Sequence, residues 1–317
     1  MRIGYFLSSE EHGPKALVEQ AKWAEAAGFD ALWISDHFHP WNDEQGHSPF
    51  VWSVIGALAE ATSLPVTTAV TCPTIRVHPA ILAQAAATSA ILHAGRFGLG
   101  VGSGEALNEQ ILGDGWPLAA TRLEMLEEAV EVMRALWTGD VVNHDGKHYV
   151  VEHARIYSLP EAPPPVYVSG FGPAAIEVAA RIGDGFITTK PSADDLRAYR
   201  KHGGKGPAQG GVKVCYGKDP AKARATAHRL WANSGVPGEL AQVLRTPEHF
   251  MQASELVTEE MTGESVVCGP DVDAHVKALQ EYVDAGYDEV YVGQMGDEQK
   301  PFFDFYEAEV LPRLRSS

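Results

Sequence analysis

Cysteine is scarce. The chain carries three in 317 residues, Cys72, Cys215 and Cys268, with no CxxC pair among them. An odd, widely spaced set supports neither a disulfide framework nor a zinc-ribbon spacing, and reads as reduced thiols in a cytoplasmic protein. Long apolar runs are also missing. No segment approaches the roughly 18 consecutive apolar residues that a membrane span requires. The opening stretch MRIGYFLSSEEHG lacks the basic flank and apolar core of a signal peptide. Basic charge is in deficit, with 25 Lys and Arg against 42 Asp and Glu, a net charge of −17. That balance disfavours nucleic acid as a partner. It leaves room for a small anionic ligand held by a few amides or placed cations. Low-complexity tracts and linkers are absent as well, so residues 1–317 read as one domain.

Eight short apolar runs, each closing on small or polar residues, are present. They fall at residues 3–8, 31–37, 65–70, 97–104, 166–170, 185–189, 212–217 and 289–293. Near-continuous apolar character is the pattern of strands buried on both faces. Amphipathic stretches separate them. Over residues 122–137, Leu123, Leu126, Val130, Met133 and Trp137 keep three/four spacing, and Glu124, Glu127, Glu128, Glu131 and Arg134 fill the other face. Pro14 and Pro173 stand where helices begin, and Gly28, Gly139, Gly183 and Gly286 where helices end. Strand–helix alternation repeated eight times predicts an α/β fold, a parallel (β/α)8 TIM barrel. Three segments exceed simple connections and predict insertions, at about 105–121, 140–165 and 232–268. The second contains Asp145-Gly146, a hairpin-turn signal, and the third reads as extra helices.

In such a barrel the chemistry gathers at the carboxyl ends of the strands. The second run ends in Ser35-Asp36-His37-Phe38-His39-Pro40-Trp41. The fourth ends in Gly102-Ser103-Gly104-Glu105-Ala106-Leu107-Asn108-Glu109, and the first leads to Ser8, Ser9 and Glu10. A histidine and several carboxylates therefore converge on one mouth, the combination that moves protons at neutral pH. A lone histidine is more often a hydrogen-bonded structural group. The strand-end position beside Asp36 and across from Glu105 favours a working role for His37, whereas His12, His47, His78 and His93 read as structural or surface residues.

His37-Phe38-His39 also raises a metal site. Strands five and six, however, end in Ser169-Gly170 and Thr188-Thr189, and Asp184 lies at the opposite end of its strand. Too few ligands remain, and no metal is expected. Gly98, Gly100, Gly102 and Gly104 alternate along strand four, as close barrel packing or a flat ligand against bare backbone would require. Ser169-Gly170-Phe171-Gly172-Pro173 passes from a strand into a helix, where free amides favour an anion such as phosphate.

Together these segments resemble the bacterial luciferase-like superfamily of flavin and deazaflavin barrels, and within it the coenzyme F420-dependent glucose-6-phosphate dehydrogenase branch. The likeness rests on Ser35-Asp36-His37-Phe38-x-Pro40-Trp41, Gly46-His47-x-Pro49-Phe50, Pro73-Thr74-x-Arg76-x-x-Pro79-Ala80 and Gly102-x-Gly104-Glu105-Ala106-Leu107-Asn108-Glu109. Leu136-Trp137-x-Gly139-Asp140, Val166-Tyr167-Val168, Gly172-Pro173 and Gly183-Asp184-Gly185-Phe186-Ile187 extend it. It runs from residue 3 to about 190, then more loosely to Leu311-Pro312-Arg313-Leu314. The resemblance implies coenzyme F420 at the barrel mouth, accepting a hydride at C5 from a sugar-like alcohol. His37 would be the base for the hydroxyl proton, Glu105 the acid serving the reduced ring, and Trp41 the flank of the reacting carbon, with Glu10 supporting the pocket. Asp36, Cys72, Gly104 and Asn108 would contact the cofactor. Ala69–Val70 matches a cis peptide that backs the ring, and Ser169, Gly170, Phe171, Gly172 and Pro173 match the phosphate region. A homodimer is implied too. FMN, in a monooxygenase, is the alternative cofactor, and a deazaflavin-binding protein with little turnover is another reading.

Departures fall on the substrate side. The family holds its sugar phosphate with two lysines and an arginine. Here Lys190 is displaced from the first position, the second falls near Thr262 in an acidic run, and the third falls near Lys300-Pro301 without an arginine. Cys72 replaces a threonine. A phosphate dianion wants at least two charge-assisted partners, so the substrate-holding end differs more than the catalytic end.

Overall fold

Apolar residues at nearly every position give strands buried on both faces, and the computed structural model, which describes residues 1–316, shows them in chain order. They are β1 (Arg2–Leu7), β2 (Leu32–Ile34), β3 (Val66–Thr68), β4 (Phe97–Val101), β5 (Val142–Asp145), β6 (Val150–Ala154), β7 (Val166–Ser169), β8 (Gly185–Thr188), β9 (Ala208–Cys215), β10 (Val267–Cys268) and β11 (Glu289–Gln294). Parallel pairing runs β11-β1-β2-β3-β4-β7-β8-β9 and returns from β9 to β11, closing a barrel of eight. Helices follow the strands, so the fold is the (β/α)8 TIM barrel that the alternation predicts.

All eight expected runs are strands, with shifted edges. The seventh begins four residues early, at Ala208, because Gln209 and Gly211 point into the barrel despite their lack of apolar bulk. Trp33 explains both. Its indole donates to Gln209 Oε1 at 2.9 Å, and a Cβ on Gly211 would stand 2.5 Å from the ring. Trp33 also stacks on Tyr291 at 4.4 Å. These rings, with Phe6 and Ile187, fill the barrel interior. The larger apolar layer lies between strands and helices, where Leu126, Val130 and Met133 of the helix Ala119–Leu136 are buried. That helix starts three residues before the predicted stretch.

Pro14 and Pro173 open helices as expected. Gly28, Gly139 and Gly286 adopt positive φ past helix ends. Gly183 does not: its φ is −87°, and glycine is required there because a Cβ would meet two carbonyl oxygens at 2.7 Å. The segment 140–165 contains an antiparallel hairpin, β5 with β6, turning near Asp145-Gly146. Segment 232–268 holds the short helices Leu240–Val243, Pro247–Ser254 and Glu259–Ser265. It ends in β10, an extra two-residue strand added beside β9; so short a piece carries no periodic signal.

Candidate active site

The first strand ends beneath a buried carboxylate. Glu10 is 2% exposed, and its Oε2 accepts from Ser35 Oγ at 2.6 Å and Ser8 Oγ at 3.0 Å. Its Oε1 lies 3.5 Å from His37 Nε2. Burial pushes this carboxyl up, but His37, Lys213 and the Ser35 hydroxyl prevail and bring it down to about 2. Glu10 is therefore an anion at any working pH, set against the imidazole edge.

The other edge of His37 is tied to the fourth strand. Asn108 Oδ1 accepts from the Phe38 and His39 amides at 2.9 and 3.1 Å. With its oxygen so engaged, Asn108 turns its Nδ2 to His37 Nδ1, 3.0 Å away. His37 Nδ1 also stands 3.2 Å from the His39 carbonyl. The ring can thus take either tautomer without losing both contacts. Trp41 packs its indole 4.9 Å from the imidazole and meets Phe250 edge-on at 5.0 Å. His39 turns away, to the Leu107 carbonyl at 2.9 Å.

Asp36 and Glu105 sit differently from the neighbourly arrangement that the sequence implied. Asp36 faces away from His37: Oδ1 takes Arg76 Nη2 at 2.9 Å and Oδ2 takes Thr71 Oγ1 at 2.8 Å. Arg76 also donates its backbone amide to Glu109 Oε2 at 2.9 Å. One guanidinium therefore ties the loops that follow strands β2, β3 and β4. Burial raises the Glu109 carboxyl to about 7 even beside Arg76. Glu105 stands at the start of the short helix Ala106–Glu109, with no capping hydrogen bond from its side chain, near Cys72, whose thiol is pushed up by burial and by Glu109 and Glu105. Cys72 is consequently a thiol, with no thiolate chemistry.

Glycines lie around this cluster. Gly98 and Gly100 serve packing: a Cβ on Gly100 would lie 1.8 Å from the Thr68 carbonyl oxygen. Gly104, at φ +83°, lies against Cys72, Glu109 and Trp116. Across from it the Ala69–Val70 peptide is cis, and Val70 would meet a Cβ on Gly102 at 2.8 Å. Past Ser169 and Gly170, Gly172 at φ +90° borders open space and precedes the helix Pro173–Ile182, whose N-terminus has no side-chain cap. Exposed Phe171 flanks it. The glycines of β4 thus face protein neighbours, whereas an anionic tail fits the uncapped start of the helix Pro173–Ile182 beside Gly172.

Lys190 is exposed two residues past β8, with its carbonyl receiving Tyr287 Oη at 3.2 Å. Thr262 is buried and donates to the Thr258 carbonyl; it offers no charge. Lys300 pairs with Asp304. Among the described residues no group of three or more His, Cys, Asp or Glu could hold a metal ion. No helix among them is long and apolar enough to cross a membrane.

Lys213, Glu11 and Trp231 escaped the sequence reading. Trp231 Nε1 donates to Glu11 Oε1 at 2.6 Å, and Lys213 Nζ stands 2.6 Å above the Trp231 ring centroid. Burial lowers the lysine ammonium to about 8 against the opposing pull of Glu10 and Glu11. A lysine inside the apolar run of the seventh strand was the available signal.

The family model for luciferase-like monooxygenases matches residues 1–289. The chain belongs to that family. Its curated relatives include F420-dependent glucose-6-phosphate dehydrogenases of Amycolatopsis mediterranei (strain U-32), 36% identical over 100% of this chain and 99% of the relative, and of Segniliparus rotundus, 37% identical over 100% and 98%. Among solved structures, an F420-dependent secondary alcohol dehydrogenase in complex with an F420-acetone adduct superposes with a TM-score of 0.92. It is 32% identical, and the match covers 99% of both chains. The F420-dependent tetrahydromethanopterin reductase of Methanopyrus kandleri, at 20% identity and a TM-score of 0.77 over 99% and 100%, shares the fold.

Proposed function

We propose that this member of the luciferase-like family is a coenzyme F420-dependent dehydrogenase/reductase acting on CH–OH groups of sugar or sugar-like alcohols and the matching carbonyls. The observation that carries the reading is His37 held between Glu10 and Asn108, with Trp41 against its ring. Support comes from relatives near 36% identity that are F420-dependent dehydrogenases. When bound, the deazaflavin supplies a carbon centre that takes up or gives back a hydride.

The chain's own residues do the rest. An alcohol yields hydride only as its hydroxyl proton departs, so His37 is assigned as the base that takes that proton at the imidazole. Glu10, anionic beside it, stabilises the imidazolium that forms. Trp41 flanks the reacting carbon and excludes water from it. Glu105 holds or releases, at its carboxyl, the proton that balances charge on the reduced cofactor. Ala69, Val70, Cys72, Gly104 and Asn108 are assigned to the ring site, with Asp36 fixing the loop beneath it. Ser169, Gly170, Phe171, Gly172 and Pro173 are assigned to the phosphate. Lys190 is placed at the outer rim, reaching a polar substituent of the substrate. The working unit is a cytoplasmic homodimer, for which sedimentation of the purified chain is the check on assembly.

Titration with F420, followed by cofactor fluorescence, and stopped-flow loss of the 420 nm band with a panel of sugars and secondary alcohols test the function. Tight FMN binding with oxygen consumption would overturn it.

A further inference from the structure

Lys213 lies in β9 two residues past Gly211, which admits the interior ring of Trp33, so its side chain also points into the barrel. It rises past Phe6, 5.3 Å from that ring centroid, to rest on Trp231. Trp231 and Trp41 belong to one apolar cluster with Cys215 and Met295. Glu10, which faces His37, also feels the charge of Lys213. The ammonium therefore belongs to the same mouth as the assigned base, on the wall formed by the seventh strand.

Its hydrogen bonding is unfinished. Among the described residues Lys213 Nζ forms no hydrogen bond, and no carboxylate comes within 4.0 Å of it. The nearby carboxylates are engaged elsewhere. Glu10 is held by Ser8 and Ser35, and Glu11 by Trp231 and the Gly296 amide at 2.7 Å. Three N–H donors of a largely desolvated ammonium thus have only a π face as protein partner, a costly state unless a ligand oxygen completes it. We propose that Lys213 is the specificity-determining residue of the substrate site, donating to a second oxygen of the substrate, an uncharged hydroxyl next to the carbinol being oxidised. A hydroxyl suits the place better than an anion, since Glu10 and Glu11 flank the ammonium and would repel added negative charge. The substrate class is then a polyhydroxy alcohol, with a simple alkanol or a hydroxy acid disfavoured.

This inference rests on the dehydrogenase reading above. The test compares propan-2-ol, propane-1,2-diol and lactate, which share a CH(OH)CH₃ unit, in the full-length protein with F420. Wild type should prefer the diol to both others in kcat/KM by at least tenfold. Lys213→Met, which keeps the stem on Trp231, should abolish that preference while leaving F420 affinity within threefold; Lys213→Arg should keep part of it. Equal losses for all three alcohols, an intact diol preference in Lys213→Met, or a wild-type preference for lactate or propan-2-ol would overturn this inference alone. A wild type that fails to bind F420 would overturn both.

Discussion

Glu10 Oε1 lies 3.5 Å from His37 Nε2, an anion from the first strand end set against an imidazole from the second. Because burial fails to keep Glu10 protonated, the pair is carboxylate and histidine throughout the neutral range. Glu10→Gln keeps the shape and removes the charge that favours imidazolium. Turnover should fall at least tenfold with F420 affinity within twofold, measured by stopped flow and fluorescence titration. Unchanged turnover would dismiss Glu10 as a partner of the base.

His37→Ala should remove most turnover while sparing cofactor affinity. Glu105→Gln should mainly slow the step linked to protonation of the reduced cofactor, seen as a changed solvent isotope effect in single-turnover traces. Full activity in both variants would refute the assignment of base and acid.

Among the described residues Arg76 is the one cation paired with two buried carboxylates, Asp36 and Glu109. Arg76→Met would strand the Asp36 charge and leave Glu109 to take up a proton, so denaturant unfolding should report a loss of about 3 kcal/mol. Residues 36–41 and 105–109 hang from this clamp, and cofactor binding should weaken with it. A loss below about 1 kcal/mol would show that the clamp is dispensable.

The Glu109 carboxyl titrates near 7 in the fold, against 4.5 when unperturbed. Between these values the folded protein holds a proton that the unfolded chain has released, so its stability falls as pH rises from 4.5 to 7 and levels off above. The full decline is on the order of 3 kcal/mol. Urea unfolding across that range should show the slope in wild type and its absence in Glu109→Gln. An identical slope in both would assign the effect to other groups.

Much of this was legible in order and pattern. Buried strands and amphipathic helices announce themselves by apolar periodicity, so eight strands, and with them the barrel and its mouth, could be read from residue order. The segments ending in Asp36-His37 and Glu105 marked where chemistry would gather, because a parallel barrel leaves only strand ends accessible. The glycines of strand four could not be divided between packing and ligand from spacing alone. The packing contacts decided it: a Cβ would meet Thr67 Oγ1 at 2.8 Å from Gly98, the Thr68 carbonyl oxygen at 1.8 Å from Gly100, Val70 at 2.8 Å from Gly102 and Glu109 at 2.9 Å from Gly104.

Pairing was beyond the reach of the sequence. Asp36 adjoins His37 in the chain, yet alternation along a strand end sends neighbouring side chains apart, and Arg76 collects Asp36 while Glu10 meets His37. Lys213 interrupts an apolar run, and only closure of the barrel sets it over Trp231, beside two carboxylates. The residues alone determined the fold, the position of the mouth and the kinds of group gathered there. Which carboxylate touches the histidine, and which cation faces the site, was decided by tertiary closure, because contacts between strand ends depend on register and side-chain direction across nearly 300 residues of chain.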